Sequence, residues 1–224
     1  MIARAIERVF HGVNSALYFP YAQFDYEENT IEWAQYYYNG FVPTDAIHWH
    51  KNPRKAIERA EGFFFDGGNS FMFLNSLLEH GLINLLRERL LGGAPGFAVS
   101  AGTNIACPTI QTTNDMPIVW PRSPKGLNLV PFQINTHYID PHRKELHRGE
   151  TRDERLAQYL KANQRERVLA LREGSFIIIE NDTITLHGNE GGKLFFHGCP
   201  PTDLKPGADL TDVLTSPFPC SPIP

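Results

Sequence analysis

Four short apolar runs punctuate the first hundred residues: Ser15-Ala-Leu-Tyr-Phe19, Ala46-Ile-His-Trp49, Gly62-Phe-Phe-Phe65 and Gly96-Phe-Ala-Val99. Stretches with helical spacing separate them. Short apolar runs in regular alternation with helices mean βαβ units, and such units close into a mainly parallel sheet covered on both faces. Helices are expected over Met1–Phe10, whose Ile2, Ile6, Val9 and Phe10 form one apolar stripe, and over Tyr26–Tyr38, with acidic residues early. A short helix with proline in its first turn is expected over Pro53–Ala60, and one or two more over Asn69–Leu91, broken near Gly81. Later the pattern changes. Phe176-Ile-Ile-Ile179 and Thr183-Ile-Thr-Leu186 read as a hairpin around a polar turn, and Lys193-Leu-Phe-Phe196 as a further strand. From Pro200 the chain is proline-rich and reads as a tail lying loosely on the surface. The expected architecture is one α/β domain over residues 1–224, a three-layer sandwich with a mainly parallel central sheet and a late β-hairpin.

The 224 residues are enough to bury a substantial core. Net charge is −4 with scattered basic residues, so nucleic acid is not an expected partner. No apolar run reaches membrane-spanning length, and no membrane partner is expected. The three cysteines, Cys107, Cys199 and Cys220, fit no spacing motif. They point to a reducing compartment and away from both a disulfide framework and a zinc site. Neither His48/His50 nor His142/His147 has matching ligands nearby, so no structural metal is expected. The mildly basic first helix imitates a presequence, but Glu7 speaks against one, and a cytoplasmic location is expected. Oligomeric state is not legible.

The candidate chemistry starts at Ser100-Ala101-Gly102, where the fourth apolar run stops. A strand ending on Ser-small-Gly and turning into a helix lifts a hydroxyl above the sheet edge, beside backbone N–H groups able to stabilise an oxyanion. Serine needs a base and an orienting acid, and His137 and Glu173 follow downstream. The loop Asp66-Gly67-Gly68-Asn69-Ser70 has two readings: a tight turn with Asn69 as N-cap, or a site at which the Gly68 N–H is a second oxyanion donor. Thr151 and Glu154 form a capping box, which puts Arg152 in a first helical turn. There it is either an incidental surface cation or a guanidinium holding an anionic group.

Taken together, these segments resemble peptidase E, the α-aspartyl dipeptidase family of serine peptidases, whose fold is related to class I glutamine amidotransferases. The resemblance runs from about Ser15 to about Gly188. Its most specific stretch is Ser100-Ala-Gly-Thr-Asn-Ile-Ala-Cys-Pro-Thr-Ile-Gln-Thr-Thr-Asn-Asp-Met-Pro-Ile-Val119. Gln133-Ile-Asn-Thr-His137, His147-Arg-Gly-Glu-Thr-Arg152 and Leu171-Arg-Glu-Gly174 match further signatures. The resemblance implies Ser100 as nucleophile, His137 as base and then acid, and Glu173 as the acid orienting the imidazole. It implies an oxyanion hole from the N–H groups of Gly68 and Ala101. Arg152 is implied to hold an aspartyl side-chain carboxylate. Asp115 is a candidate for the substrate's α-ammonium group, beside its plain reading as a loop Asx-turn. The implied partner is a small acidic peptide and the implied reaction is hydrolysis of Asp-X dipeptides through an acyl-enzyme.

Departures from the family pattern set further expectations. Met1 falls inside the family's first helix, so the family's first strand is expected to be missing, which would leave two strand edges unpaired. Ala98 stands for an elbow glycine, and Asp66 stands for a glycine ahead of Gly67-Gly68. The Asp66 carboxylate is expected either near the oxyanion hole or capping the next helix. Two alternatives follow: a catalytically silent relative acting as a binding protein, and a β-aspartyl peptidase resembling the cyanophycinases.

Overall fold

A computed structural model describes residues 2–28, 44–141 and 149–215. The chain forms two compact units, Met1–Val130 and Pro131–Pro224.

In the first unit, helix α1 (Ile2–Val9) leads into β1 (Ala16–Phe19), which with β2 (Thr44–Ala46) belongs to a four-stranded parallel sheet of order β2-β1-β3-β4. β3 is Gly62–Phe65 and β4 is Gly96–Ala98. The unbroken apolar character of β1 and β3 follows from burial on both faces. Leu17, Phe19, Phe63 and Phe65 point into one cluster, with Ile57, Phe73, Leu77 and Leu86 from the helices. Tyr18 and Phe64 point the other way and meet Ile6 and Phe10, with the Phe10 and Phe64 rings stacked at 4.5 Å. The sheet is therefore the middle of three layers. Helices α2 (Pro53–Arg59), α3 (Ser70–Glu79) and α4 (Ile83–Leu91) follow the expected stretches, with Gly81 at φ +63° breaking the last two apart.

One expectation changes here. Ala46–Trp49 is not a strand. β2 is Thr44–Ala46, followed by a 3-10 turn over Ile47–Trp49. The pairing ends at Tyr18↔Ala46, and the chain turns back so that His50 Nε2 meets Asp45 Oδ2 at 2.6 Å. β1 pairs in parallel with β2 on one side and with β3 on the other, and β4, beside β3, ends the sheet. The expected helix over Tyr26–Tyr38 lies largely outside the described residues.

In the second unit, β5 (Gln133–Asn135) and β6 (Arg167–Leu171) pair in parallel, and β9 (Gly192–Phe196) and β10 (Thr202–Leu204) extend the sheet antiparallel in the order β10-β9-β6-β5. Helix α6 (Arg152–Ala162) packs Leu156 and Leu160 onto Val168, Ala170 and Phe195. The predicted hairpin is β7 (Ser175–Glu180) with β8 (Thr183–Gly188), turned by Asn181 and Asp182 at positive φ. The segment after Pro200 is not a loose tail as far as residue 215. Thr202–Leu204 supplies N–H groups between the prolines and joins β9, and α7 (Thr211–Thr215) buries Leu214. Leu210 is buried too, its N–H on the Ile184 carbonyl at 2.8 Å.

Cys107 is buried and carries a thiol, its Sγ donating to the Thr103 carbonyl at 3.4 Å.

Candidate active site

Ser100 ends β4 and precedes α5 (Ala101–Ala106). Its backbone sits at φ 49°, ψ −107°, outside the conformations an L residue ordinarily adopts, and its side chain does not cap the helix. The strain is held by bonds on both sides. Val99 N–H donates to the Phe65 carbonyl at 3.0 Å, Gly102 N–H to Asp66 at 3.1 Å and Val99 at 2.8 Å, and Asn104 N–H to Ser100 at 3.1 Å. Gly102 allows this closeness, because a Cβ there would sit 2.5 Å from the Phe65 carbonyl oxygen. Ala98, at the departed glycine position, packs half-buried against the core.

The loop after β3 lies against this turn. A Cβ on Gly67 would stand 3.2 Å from Ser100 Cβ. Gly68 has φ +130°, and a Cβ there would fall on the Ala22 carbonyl. Asn69 N–H donates to that same carbonyl at 2.8 Å, and Asn69 Oδ1 accepts from Phe71 and Met72, the expected N-cap of α3. Asp66 opens this loop, its carbonyl accepting the Gly102 N–H at 3.1 Å. It is buried, accepting the Tyr18 hydroxyl and the Gly67 N–H (2.8 Å), because the alternation of β1 points Tyr18 to the same side.

Asp115 Oδ2 accepts the Ser70 N–H at 2.7 Å, so it is a second cap on α3, supplied from a distant loop. Around it run bonds that sequence reasoning passed over. Ser70 Oγ lies 3.1 Å from Thr113 Oγ1, and the buried Asn104 Nδ2 reaches Ser70 Oγ at 3.3 Å and the Ser100 carbonyl at 3.4 Å. The available signal was Asn104 itself, an amide inside an otherwise apolar helical turn.

In the second unit, His137 follows β5 and Glu173 follows the neighbouring β6, so parallel pairing delivers both at the same sheet end. His137 Nδ1 hydrogen-bonds Glu173 Oε1. Donation from Nδ1 to a carboxylate puts the imidazole lone pair on Nε2, the tautomer a general base requires. Like Ser100, His137 has positive φ, at 55°.

Arg152 is the first residue of α6, whose capping box closes as expected. Its guanidinium is half-buried, and among the described residues no carboxylate lies within ion-pair distance of it. Burial, and secondarily the Arg155 charge, pull its pKa below the ordinary arginine value. A cation in that situation gains from any anion brought to it. Ser100, Gly68, Ala101 and Asp115 thus belong to the first unit, and His137, Glu173 and Arg152 to the second. Among the described residues no three metal-ligating side chains converge, and no helix is long and apolar enough to cross a membrane.

Residues 1–187 match the sequence profile of peptidase family S51. The chain belongs to that family. Peptidase E of Streptomyces coelicolor is 42% identical over 195 residues, covering 87% of this chain and 80% of the relative. A probable alpha-aspartyl dipeptidase of Drosophila melanogaster is 38% identical over 212 residues, covering 93% and 88%. Among solved structures, a peptidase from an acI-B1 actinobacterium superposes with a TM-score of 0.65 at 15% identity, covering 94% of this chain and 91% of that one. A putative peptidase E from Listeria monocytogenes EGD-e gives 0.58 at 16% identity, covering 83% and 92%. The S51 chain is a serine-type peptidase, a hydrolase, with the mixed α/β fold of these neighbours.

Proposed function

We propose that this S51 peptidase hydrolyses dipeptides with an N-terminal aspartate, Asp-X, through an acyl-enzyme. The observation that carries the specificity is Arg152, half-buried at a helix start with no carboxylate partner among the described residues. Its fork suits a side-chain carboxylate, and a neutral substrate would leave it desolvated and unpaired. Ser100 is the nucleophile, raised by its strained turn. His137 takes its proton at Nε2 and later gives it to the leaving amine, while Glu173 holds the ring and stabilises the imidazolium. The oxyanion rests on the N–H groups of Gly68 and Ala101, each of which would supply about 2.7–4 kcal/mol of transition-state stabilisation. The α-ammonium meets Asp115 through the oxygen that does not accept from Ser70. Water then clears the acyl-enzyme, and no cofactor enters the scheme. A small acidic peptide is thus the proposed partner. The proposed location is the cytoplasm.

Hydrolysis of Asp-Leu beside Asn-Leu and Leu-Leu, by this chain and its Ser100→Ala variant, tests the reading. Cleavage of Asp-Leu alone, lost in the variant, is expected. Cleavage of all three would remove Arg152 from its role, and no cleavage by a folded chain would favour the silent relative.

A further inference from the structure

Tyr138 follows His137 in the chain, and Asp153 follows Arg152. The two are joined. The Tyr138 hydroxyl donates to Asp153 Oδ1 at 2.5 Å and accepts from Lys193 Nζ at 2.9 Å. Lys193 also lies 3.6 Å from Asp153 and 3.4 Å from Asp140. The Tyr138 ring is 3% exposed, with the Arg172 guanidinium 5.7 Å and the Lys193 ammonium 5.3 Å from its centroid. Its N–H is fixed to the Leu171 carbonyl at 3.0 Å. Arg172 in turn binds Asp140 through two nitrogens, at 2.8 and 2.9 Å, and Asp203 at 2.6 Å.

Core packing does not do the same job for α6. Its buried residues are Leu156 and Leu160, and none lies in the first turn. The capping box shapes that turn but does not tie it to the sheet. The tie is Asp153. We infer that Tyr138 is a positioning residue: its hydroxyl locks the first turn of α6, and Arg152 with it, to the loop that carries His137. It thereby sets the span between the carboxylate-holding cation and the general base. Burial and Asp153 both raise the tyrosine pKa, so the hydroxyl keeps the proton it donates.

This inference rests on the Asp-X reading, and it assigns to the span the discrimination between aspartyl and glutamyl substrates, which differ by one methylene. The test is Tyr138→Phe, which keeps the buried ring, together with Asp153→Asn, which keeps an acceptor. Tyr138→Phe should raise KM for Asp-Leu by about tenfold, the size of one lost hydrogen bond to a charged group, with kcat changed by less than about threefold. The preference for Asp-Leu over Glu-Leu should narrow by a comparable factor, and Asp153→Asn should fall between wild type and Tyr138→Phe. Amide hydrogen exchange at 136–138 and 152–155 should accelerate in both segments together in Tyr138→Phe. Unchanged selectivity, with activity falling only as Tm falls, would overturn the inference and leave a structural role. Faster exchange in one segment alone would also overturn it. A wild type that cleaves no Asp-X dipeptide defeats the peptidase specificity, whereas the exchange experiment decides the coupling without any substrate.

Discussion

At Ser100 the backbone does the work that the side chain later exploits. A residue at φ 49°, ψ −107° costs on the order of 1–3 kcal/mol, and it persists because Gly102, Val99 and Asn104 are all bonded around it. Gly102→Ala would drive a methyl to 2.5 Å from the Phe65 carbonyl oxygen. We expect about 1–3 kcal/mol of lost stability in urea unfolding, with peptidase activity falling further than stability does. Asn104→Ala removes the amide reaching Ser100 and Ser70 and should cost about 1–3 kcal/mol by the same measurement, while Asn104→Asp would show whether shape alone suffices. Ser100 and Gly102 were legible because Ser-small-Gly after an apolar run has few backbone solutions. The burial of Asp66 under Tyr18 was not, since the pairing of strands 48 residues apart decides it.

Helix α3 has two acceptors at its N-terminus, where one is usual. Asn69 is local and readable, whereas Asp115 arrives from 45 residues away. Asp115→Ala should lower stability by about 1 kcal/mol in denaturant unfolding, and Asp115→Asn by less, because an amide oxygen still accepts. If Asp115 also meets the substrate ammonium, Asp115→Asn should raise KM for Asp-Leu with stability nearly intact, which separates the two roles. The 53–59, 62–65 and 70–91 elements match expectation because periodicity, caps and Gly81 agree. The 46–49 strand failed because edge pairing, not propensity, determines where β2 stops.

For the molecule as a whole, the charge network around Tyr138 links folding to pH. Asp140 is 7% exposed, and hydrogen bonds from Arg172, foremost among the causes, push its pKa from 3.8 down to about 2. Its folded value lies below its unfolded one, so its contribution is complete above pH 3.8 and disappears as pH falls towards 2. The shift corresponds to roughly 2 kcal/mol. Stability measured by urea titration between pH 5 and 2 should therefore fall on this limb, and the limb should flatten in Asp140→Asn, which also starts from a lower plateau because Arg172 and Lys193 lose their partner.

By itself the sequence determined the strand–helix alternation, the three-layer first unit, the hairpin, the capping box and the peptidase E resemblance, because each rests on contacts between residues close in the chain or on an ordered set of motifs. Tertiary structure decided the rest. It paired β1 directly with β2 and β3, folded residues 202–215 onto the sheet and hairpin, and tied Tyr138 to Asp153. Each of these satisfies hydrogen bonds or charge with partners from another element. Such pairings follow from which groups burial brings together, and no local spacing encodes that.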